Sequence, residues 1–327
     1  MRRREFIACI VGATAVSSLA VRAQQPATAM RRIAALMNEE SPESQSWIDA
    51  FREGLGKLGW QEGRNLKIEY RWAGFDKSVM QQDAKELVAL HPDLILSGSS
   101  PITALLLAET GTIPLVFANI VDPVGQGFVA SLSHPGGNAT GLVNLEPSMA
   151  GKWIDLLKEL VPHLNRVVVP FNPATAPYAD LYLDHFRSTA QKFGAEIIPV
   201  PVADIAALDQ LITAEAPQPN TGFIPMPSAF MIGREIASSF TRGKVPVVSF
   251  NAQFVRDGGL VSYGNDVSDN YRRSAVFVDR ILRGERPADL PVQFPVKFDL
   301  VVNLKTARAL GLPIPQDLLA TADEVIE

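Results

Sequence analysis

Short apolar runs alternate with stretches of helical periodicity along most of the chain, and this alternation restricts the fold more than any other feature. Residues 31–37 form an apolar run, and in residues 46–58 apolar side chains recur at the spacing of an amphipathic helix. The pair repeats at 66–72 and 79–90 and at 93–97 and 102–110, and a further strand follows at 115–120. Such alternation predicts parallel βαβ units.

The pattern restarts after a turn-rich passage at 133–138 and a strand at 140–145. Helices are predicted at 150–160, 178–193, 206–214 and 230–242, and strands at 166–170, 196–200, 222–226 and 245–250. A strand at 260–264, a long helix at 270–283, a strand at 296–304 and a short helix complete the chain. We therefore expect an α/β protein with two doubly wound parallel-sheet lobes.

The lobes are expected to be joined by three crossings, because no Pro/Ser-rich linker separates the two sets of elements. We place the crossings near 140–144, 260–263 and 295–301. Lobe 1 is then 31–142 plus 262–294, and lobe 2 is 143–261 plus 295–327. Several crossings restrict the lobes to one relative motion, opening and closing, which a ligand-trapping cleft requires.

Residues 1–23 are expected to form a cleavable export signal. Arginines at 2–4 precede an apolar stretch at 6–21 that ends in the small-residue pattern VRA at 21–23. The stretch is shorter than the roughly 20 residues of a membrane span. RREFI at 3–7 is similar to the twin-arginine motif, but positions 2 and 8 depart from it, so export of the folded or of the unfolded chain stays open. The expected location is the periplasm.

Removal of that signal has two consequences for the mature chain of about 304 residues, a length typical of two domains. It takes away Cys9, the sole cysteine, so disulfides, Cys-ligated zinc and a thiol nucleophile are excluded. It also removes a net charge of +3 from a chain of net −5, which leaves −8. We expect no nucleic-acid partner, because such binding depends on clustered Lys and Arg.

Motifs for cofactor binding or catalysis are few. A G-x-G-x-x-A spacing stands at 125–130, but residues 128–132 are too few for the crossover helix of a dinucleotide-binding unit. The four histidines show no metal-ligand spacing, and neither a G-x-S-x-G elbow nor a Walker loop occurs. We expect no cofactor, no metal and no catalysis.

Candidate ligand-binding residues come from the ends of the predicted strands. In open parallel sheets, ligands bind beyond the carboxyl ends of strands, where helix N-termini present unpaired N–H groups. The turn at 97–103 is the most informative of these positions, because small hydroxyl residues and glycine let backbone N–H groups approach an amino-acid carboxylate; an ordinary helix cap is the alternative. The full set is Asn38, Ser99, Ser100, Thr103, Asn119, Asp122, Phe171, Asn172, Met226, Ser228, Phe250, Asn251 and Tyr263.

Several of these residues have two interpretations. Asp122 could hold a ligand ammonium, or it could start the turn that continues with Pro123. Phe171, Phe250 and Tyr263 could wall an aromatic or apolar ligand, or they could belong to the core.

Ordered phrases along nearly the whole chain resemble one known family. They read GWQEGRN at 59–65, IEYRWA at 68–73, DPVG at 122–125, PGGNATG at 135–141, VVNLKTA at 301–307, LGLPIP at 310–315 and ADEVIE at 322–327. The chain is similar in these segments to the ABC-transporter substrate-binding family of the tryptophan/tyrosine-binding, TrpX-like type. Residues 171–172 and 224–227 depart from the commoner family forms, which leaves the ligand open.

The resemblance implies a type I periplasmic-binding fold that traps a small solute between its lobes. It also implies an ABC permease in the inner membrane as partner, and we expect a monomer. The expected ligand is an amino acid or similar carboxylate, with an aromatic side chain as one option. Two alternatives remain: a sensor that presents its closed form to a receptor, and a periplasmic enzyme on the same scaffold.

Overall fold

The computed structural model describes residues 30–327, so the expected export signal lies outside the described residues. The strands are β1 (Arg31–Met37), β2 (Leu66–Trp72), β3 (Leu94–Ser97), β4 (Leu115–Ile120), β5 (Ala139–Val143), β6 (Arg166–Phe171), β7 (Glu196–Pro201), β8 (Thr221–Phe223), β9 (Val248–Ser249), β10 (Val261–Asn265), β11 (Phe298–Asn303) and β12 (Glu324–Ile326).

The helices are α1 (Pro42–Lys57), α2 (Lys77–Ala89), α3 (Ser100–Glu109), α4 (Met149–Leu160), α5 (Ala179–Gln191), α6 (Ile205–Glu215), α7 (Arg234–Gly243), α8 (Ala252–Arg256), α9 (Val267–Leu282), α10 (Leu304–Leu310) and α11 (Gln316–Thr321). Turns of 3₁₀ helix stand at Ala229–Met231 and Pro287–Asp289. No helix within residues 30–327 is long and apolar enough to cross a membrane.

The first sheet has five parallel strands in the order β2-β1-β3-β4-β5. Residues 33–37 of β1 are all buried, because helices cover both faces of the sheet. Alternate side chains of β1 therefore enter different cores: Ile33 and Met37 join the cluster that contains α1, whereas Ala34 and Leu36 join the cluster that contains α2 and α3. Because both faces are buried, β1 is apolar at consecutive positions and does not alternate between apolar and polar residues.

Helix α9 lies far along the chain but packs against α1 of the first lobe. Gly54 permits this close approach, since a Cβ there would lie 2.5 Å from the carbonyl oxygen of Arg272. Trp47 stacks on Tyr271 with ring centroids 5.7 Å apart, and the Trp60 indole donates to Asp279 over 2.8 Å. The chain thus returns to the first lobe after building most of the second.

The second lobe contains the strands β7-β6-β8 and β9-β10-β11-β12, which a bridge between Phe223 and Val247 connects. All pairs are parallel except β10 with β11. The fold class predicted from the sequence, α/β with two parallel-sheet lobes, is confirmed, and the antiparallel β11 is an addition to it. This strand is antiparallel because the chain re-enters the second lobe from the opposite end.

The structure changes some of the predicted elements and adds two that were not predicted. The strand predicted at 245–250 is reduced to β9, since Pro246 offers no N–H to a sheet ladder. The helix predicted at 230–242 divides into a 3₁₀ turn and α7, because Gly233 at φ 120° interrupts it. Helix α8 and strand β12 were not predicted, since each is too short to show a period. The passage between β4 and β5 contains turns and no helix, as expected.

The chain passes between the two sheets after β5, between β10 and α9, and again before β11. These segments touch one another: the Val143 N–H donates to the Gln293 carbonyl, and the Asp266 N–H donates to the Lys297 carbonyl. All of β10, residues 261–265, pairs within the second sheet. We keep the predicted division of the lobes as a proposal, with the boundary expected at 261/262 moved to the end of β10.

Candidate functional site

A cavity of about 970 Å³ lies between the lobes, at the carboxyl ends of the parallel strands. Its volume is typical of a pocket for a small organic molecule. Six of the thirteen predicted residues line it: Asn38, Ser99, Ser100, Asn119, Ser228 and Asn251. The rule that ligands bind beyond strand ends therefore located the cavity.

The first turn of α3 forms part of the first-lobe wall. Ser99 is the N-cap residue, yet its side chain makes no capping hydrogen bond. Ser100 Oγ instead accepts hydrogen bonds from the Val121 N–H and the Gln126 side chain, which ties this turn to the end of β4. The N-terminal end of a ten-residue helix therefore faces the cavity without a side-chain cap.

Five polar atoms on the cavity wall have no hydrogen-bond partner among the described residues. They are Ser99 Oγ, Asn119 Oδ1, Asn144 Oδ1, Ser228 Oγ and Asn265 Nδ2. Four of the five residues are at least nine-tenths buried: Ser99 (6% exposed), Ser228 (4%), Asn144 (8%) and Asn265 (8%). A buried polar group without a partner costs roughly 1–3 kcal/mol. Their concentration around one cavity is what a site built for a polar ligand would show.

The second lobe and the crossings contribute charged side chains that form ion pairs. Arg256 contacts Glu324 at 2.6 Å, Lys297 contacts Asp266 at 2.8 Å, and Arg234 approaches Asp257 at 3.6 Å. Burial alone would raise the pKa of Asp266, but its hydrogen bond with Lys297 lowers that pKa below the ordinary value. The cationic groups of this wall are thus already engaged.

Glu43 lies in the first turn of α1 and faces the cavity. Its Oε1 accepts a hydrogen bond of 3.2 Å from Nδ2 of Asn251, a residue of the opposite lobe. Burial raises the pKa of the Glu43 carboxyl, the hydrogen bond from Asn251 and the charge of Arg256 lower it, and nearby Asp257 raises it; together they bring the pKa from the ordinary 4.5 to about 7. The carboxyl is therefore only partly ionised at neutral pH.

Aromatic side chains supply the apolar part of the lining. Trp47 and Phe75 contribute from the first lobe and Tyr178 from the second. The Tyr178 hydroxyl donates to the Pro227 carbonyl over 2.8 Å, which fixes the ring. Flat apolar surfaces beside polar atoms suit an organic solute that carries both kinds of group.

Three predicted residues lie in turns or in the helix start and do not line the cavity. Thr103 Oγ1 donates to the Ser99 carbonyl over 2.8 Å. Asp122, at φ 44°, accepts from the Gly125 N–H and so starts the turn, the alternative to ammonium binding. Asn172 accepts from Ala174 N–H and donates to the Ala203 carbonyl. Each of these polar groups stabilises local backbone.

The three predicted aromatic residues and Met226 also lie outside the lining. Met226 and Phe250 are buried in the second-lobe core, and Phe171 packs against it. Tyr263 stacks on Phe298 with ring centroids 5.9 Å apart. Side chains that alternate along a strand reach the core at every second position, which is why a strand end does not always deliver its side chain to a cleft.

Several lining residues were not in the predicted set. Asn144 directly follows β5 and Asn265 is the last residue of β10, so their place at a crossing was a usable signal. Glu43 and Trp47 belong to the first two turns of α1, where the sequence reads as a capped amphipathic helix. Glu43 would be an ordinary solvated charge if the second lobe did not lie against it, and the sequence does not show that contact.

The comparisons with known proteins agree with this geometry. A family model described as ABC transporter substrate binding protein matches residues 32–326. The chain belongs to this family. The resemblance noted in the sequence is thereby confirmed.

Similar proteins are known from several organisms. A tyrosine-binding protein of Clostridioides difficile is 24% identical over 274 residues, which cover 84% of this chain and 79% of that protein. A conserved domain protein of Vibrio cholerae has a TM-score of 0.84 at 28% identity and covers 90% of this chain and 99% of its own. The ABC domain in complex with L-Trp from Streptococcus pneumonia has a TM-score of 0.84 at 25% identity, covering 91% and 100%. The type I periplasmic-binding fold is confirmed by these similarities.

Proposed function

We propose that this protein is the extracytoplasmic solute-binding component of an ABC importer. It traps a small organic solute, an amino acid or similar carboxylate, between its lobes and delivers it to a permease in the inner membrane. The observation that carries the proposal is the set of five unpartnered polar atoms around one interlobe cavity. A solute that supplies their partners binds the closed arrangement better than the open one and so shifts the lobes toward closure.

The carboxylate of such a solute has a suitable place at the start of α3. The uncapped helix end presents N–H groups and a partial positive charge, and Ser99 Oγ is free to donate. No cationic side chain is needed for this contact. The aromatic lining, with Trp47 stacked on Tyr271 behind it, suits a flat side chain. The L-Trp complex and the tyrosine-binding relative make these two amino acids the first candidates.

The remaining parts of the proposal rest on the sequence. We propose that residues 1–23 direct export and are removed, so that the mature protein works in the periplasm. We also propose that it acts as a monomer, binds no nucleic acid and catalyses no reaction. No group of three or more His, Cys, Asp or Glu side chains that could hold a metal ion occurs in residues 30–327.

A ligand screen tests the proposal. The mature protein is melted in the presence of single amino acids, aromatic acids, other carboxylates and sugars, and hits are measured by calorimetry. We expect the melting temperature to rise for a small set of related solutes, because a ligand that binds only the folded state stabilises it. The absence of any shift across a broad library would contradict solute binding.

A double variant shows whether a hit occupies the cavity. Ser99→Ala/Ser228→Ala removes two of the unpartnered hydroxyls, and Ser133→Ala removes an exposed one elsewhere. A solute held in the cavity loses about tenfold or more in affinity to the double variant, at roughly 1 kcal/mol for each hydrogen bond, and loses nothing to the control. Equal binding by all three proteins would place the ligand elsewhere.

A further inference from the structure

The side chain of Glu43 is held in one position between the lobes. The capping box of Ser41 and Ser44 fixes the first turn of α1, on which Glu43 stands. Across the cleft, Asn251 Oδ1 accepts from the Gln253 and Phe254 N–H groups, so its Nδ2 is the atom left to meet Glu43 Oε1. One oxygen of the carboxylate is thus engaged by a neutral donor.

Within the described part of the chain, the cavity offers Glu43 no cation of its own. The three cationic side chains of the lining, Arg234, Arg256 and Lys297, each lie within ion-pair distance of another carboxylate. Arg256 and Asp257 at the end of α8 act on Glu43 only at longer range and with opposite signs. On its own side of the cleft, Glu39 and Glu40 precede it on the turn before α1, and they add negative charge.

This arrangement has a chemical consequence. A partly buried carboxylate with no cation beside it is poorly stabilised, and its raised pKa reflects that condition. Nearly buried polar atoms without partners line the same cavity, Asn144 Oδ1 and Asn265 Nδ2 among them, and they point to a ligand in the same space. A ligand cation would stabilise the ionised carboxylate and the closed lobes together.

We propose that Glu43 binds a cationic nitrogen of the solute, so the solutes of this protein are small zwitterions or amines, as opposed to simple carboxylates or sugars. The inference rests on the proposed function and narrows its ligand class. Glu43 is the contact for the ammonium group, the role that the sequence suggested for Asp122. Asn251 of the second lobe also donates to Glu43, so the same carboxylate binds the solute's cation and forms a contact between the lobes.

The pH dependence of binding has a defined sign. A solute ammonium needs the ionised carboxylate, and a proton competes with it below the pKa of the empty site, about 7. The association constant therefore falls by roughly tenfold for each pH unit below that value, as one proton must leave on binding. Above pH 7 it is constant until the ammonium itself loses its proton. A ligand that donated a hydroxyl to Glu43 would also bind more weakly at low pH. Its binding would not, however, require an amino group.

The experiment compares L-tryptophan with 3-(indol-3-yl)propanoate, the same molecule without its amino group, by calorimetry between pH 5.5 and 8. Three proteins are used: the mature wild type, Glu43→Gln and Glu40→Gln. Glu40 lies in the same turn but does not line the cavity, so its variant is a matched control. Glu43→Gln keeps the acceptor for Asn251, and its thermal unfolding without ligand shows whether it folds.

We expect wild type and Glu40→Gln to bind L-tryptophan at least roughly 30-fold more tightly than the deaminated analogue at pH 8, the loss typical of a desolvated charge left without its partner. Glu43→Gln should lose this preference and the pH dependence together. Equal affinity of wild type for both compounds, or an unchanged Glu43→Gln, would overturn the inference and leave solute binding intact.

If L-tryptophan is not a ligand, the tightest solute of the library takes its place in the same design. A tightest solute without a cationic nitrogen overturns the inference alone. A library without any hit contradicts the proposed function, and the inference falls with it.

Discussion

The first lobe lines the cavity with neutral polar and aromatic side chains and with the carboxylates of Glu39 and Glu43, whereas the opposite wall carries Arg234, Arg256, Lys297 and the acids that hold them. Polar atoms without a partner among the described residues occur on both walls, at Ser99 and Asn119 on the first and at Ser228 and Asn265 on the second, but the charges of the second wall are satisfied internally. A charge that already has a partner has little left to offer a ligand. The first wall therefore offers a ligand the Glu43 carboxylate without a cation beside it, whereas the cations of the second wall are paired with acids.

Gly264 in β10 of the second lobe and Gly98 on the first wall give the largest expected difference. A Cβ at Gly264 would overlap the backbone carbonyl of Phe250, whereas a Cβ at Gly98 would lie 2.8 Å from the flexible sulfur of Met37. We expect Gly264→Ala to lower the free energy of unfolding by about 3 kcal/mol or more and Gly98→Ala by about 1 kcal/mol, because backbone cannot move aside as a Met side chain can. Urea unfolding measures both.

Gly56→Ala is the control, since a Cβ there meets nothing within 4 Å. A Gly264→Ala protein as stable as this control would contradict the close packing of β10 against the end of β9.

The next largest effect is the pH dependence of stability, which tests whether the Glu43 carboxylate on the first wall is destabilised by its surroundings. Its pKa of about 7 in the folded protein stands above the ordinary 4.5, so the folded state holds one more proton than the unfolded state between these values. Stability from this group is therefore full below pH 4.5 and is lost as the pH rises to 7, by up to about 3 kcal/mol at roughly 1.4 kcal/mol per unit.

Glu43→Gln removes this loss. Without ligand, we expect it to be more stable than wild type by up to about 3 kcal/mol at pH 8 and equal to it at pH 4. Thermal and urea unfolding across this range provide the measurement, with Glu40→Gln alongside. A difference that does not change with pH would show that Glu43 is not perturbed in the folded protein.

The order of elements was largely predictable because each apolar run and each helical period is long enough to read. Thus β1, β2 and β4 have the predicted limits, whereas five-residue α8 and three-residue β12 leave no period. Asn38, Ser99 and Asn119 were found because each lies at or just beyond the carboxyl end of a strand. Phe250 and Met226 are the last residues of predicted strands, but they face the core, and the face of a side chain at an irregular strand end is decided by tertiary packing.

Glu43 shows what sequence alone leaves undetermined. In the sequence it is a typical acidic residue of a helix first turn, where the helix dipole favours a carboxylate. Its partner Asn251 lies 208 residues away and on the other lobe. A site formed between two lobes consists of such long-range pairs, so its ionisation depends on closure as well as on local sequence.

A substitution at Asn119 tests the first wall through ligand affinity, whereas the preceding predictions use stability. Its Oδ1 has no partner among the described residues, so Asn119→Ala costs the ligand-free protein little. We expect the cavity ligand to bind about tenfold more weakly, which corresponds to the loss of one hydrogen bond of about 1.4 kcal/mol. Calorimetry with the solute from the screen measures it. Unchanged affinity together with lowered stability would show that Asn119 stabilises the folded protein and does not contact the ligand.

Arg234 provides the smallest expected effect and the counterpart on the second wall. Its side chain is 83% exposed and its ion pair with Asp257 is long, at 3.6 Å, so the interaction is screened by solvent. Asp257 keeps a hydrogen bond of 3.1 Å from Gln253 when the arginine is removed. Arg234→Ala should therefore change the free energy of unfolding by less than about 0.5 kcal/mol and ligand affinity by less than about twofold. A larger loss of affinity in this variant, together with a loss of wild-type affinity in added salt, would make Arg234 a ligand contact. The charges of the second wall would then bind the solute as well as each other.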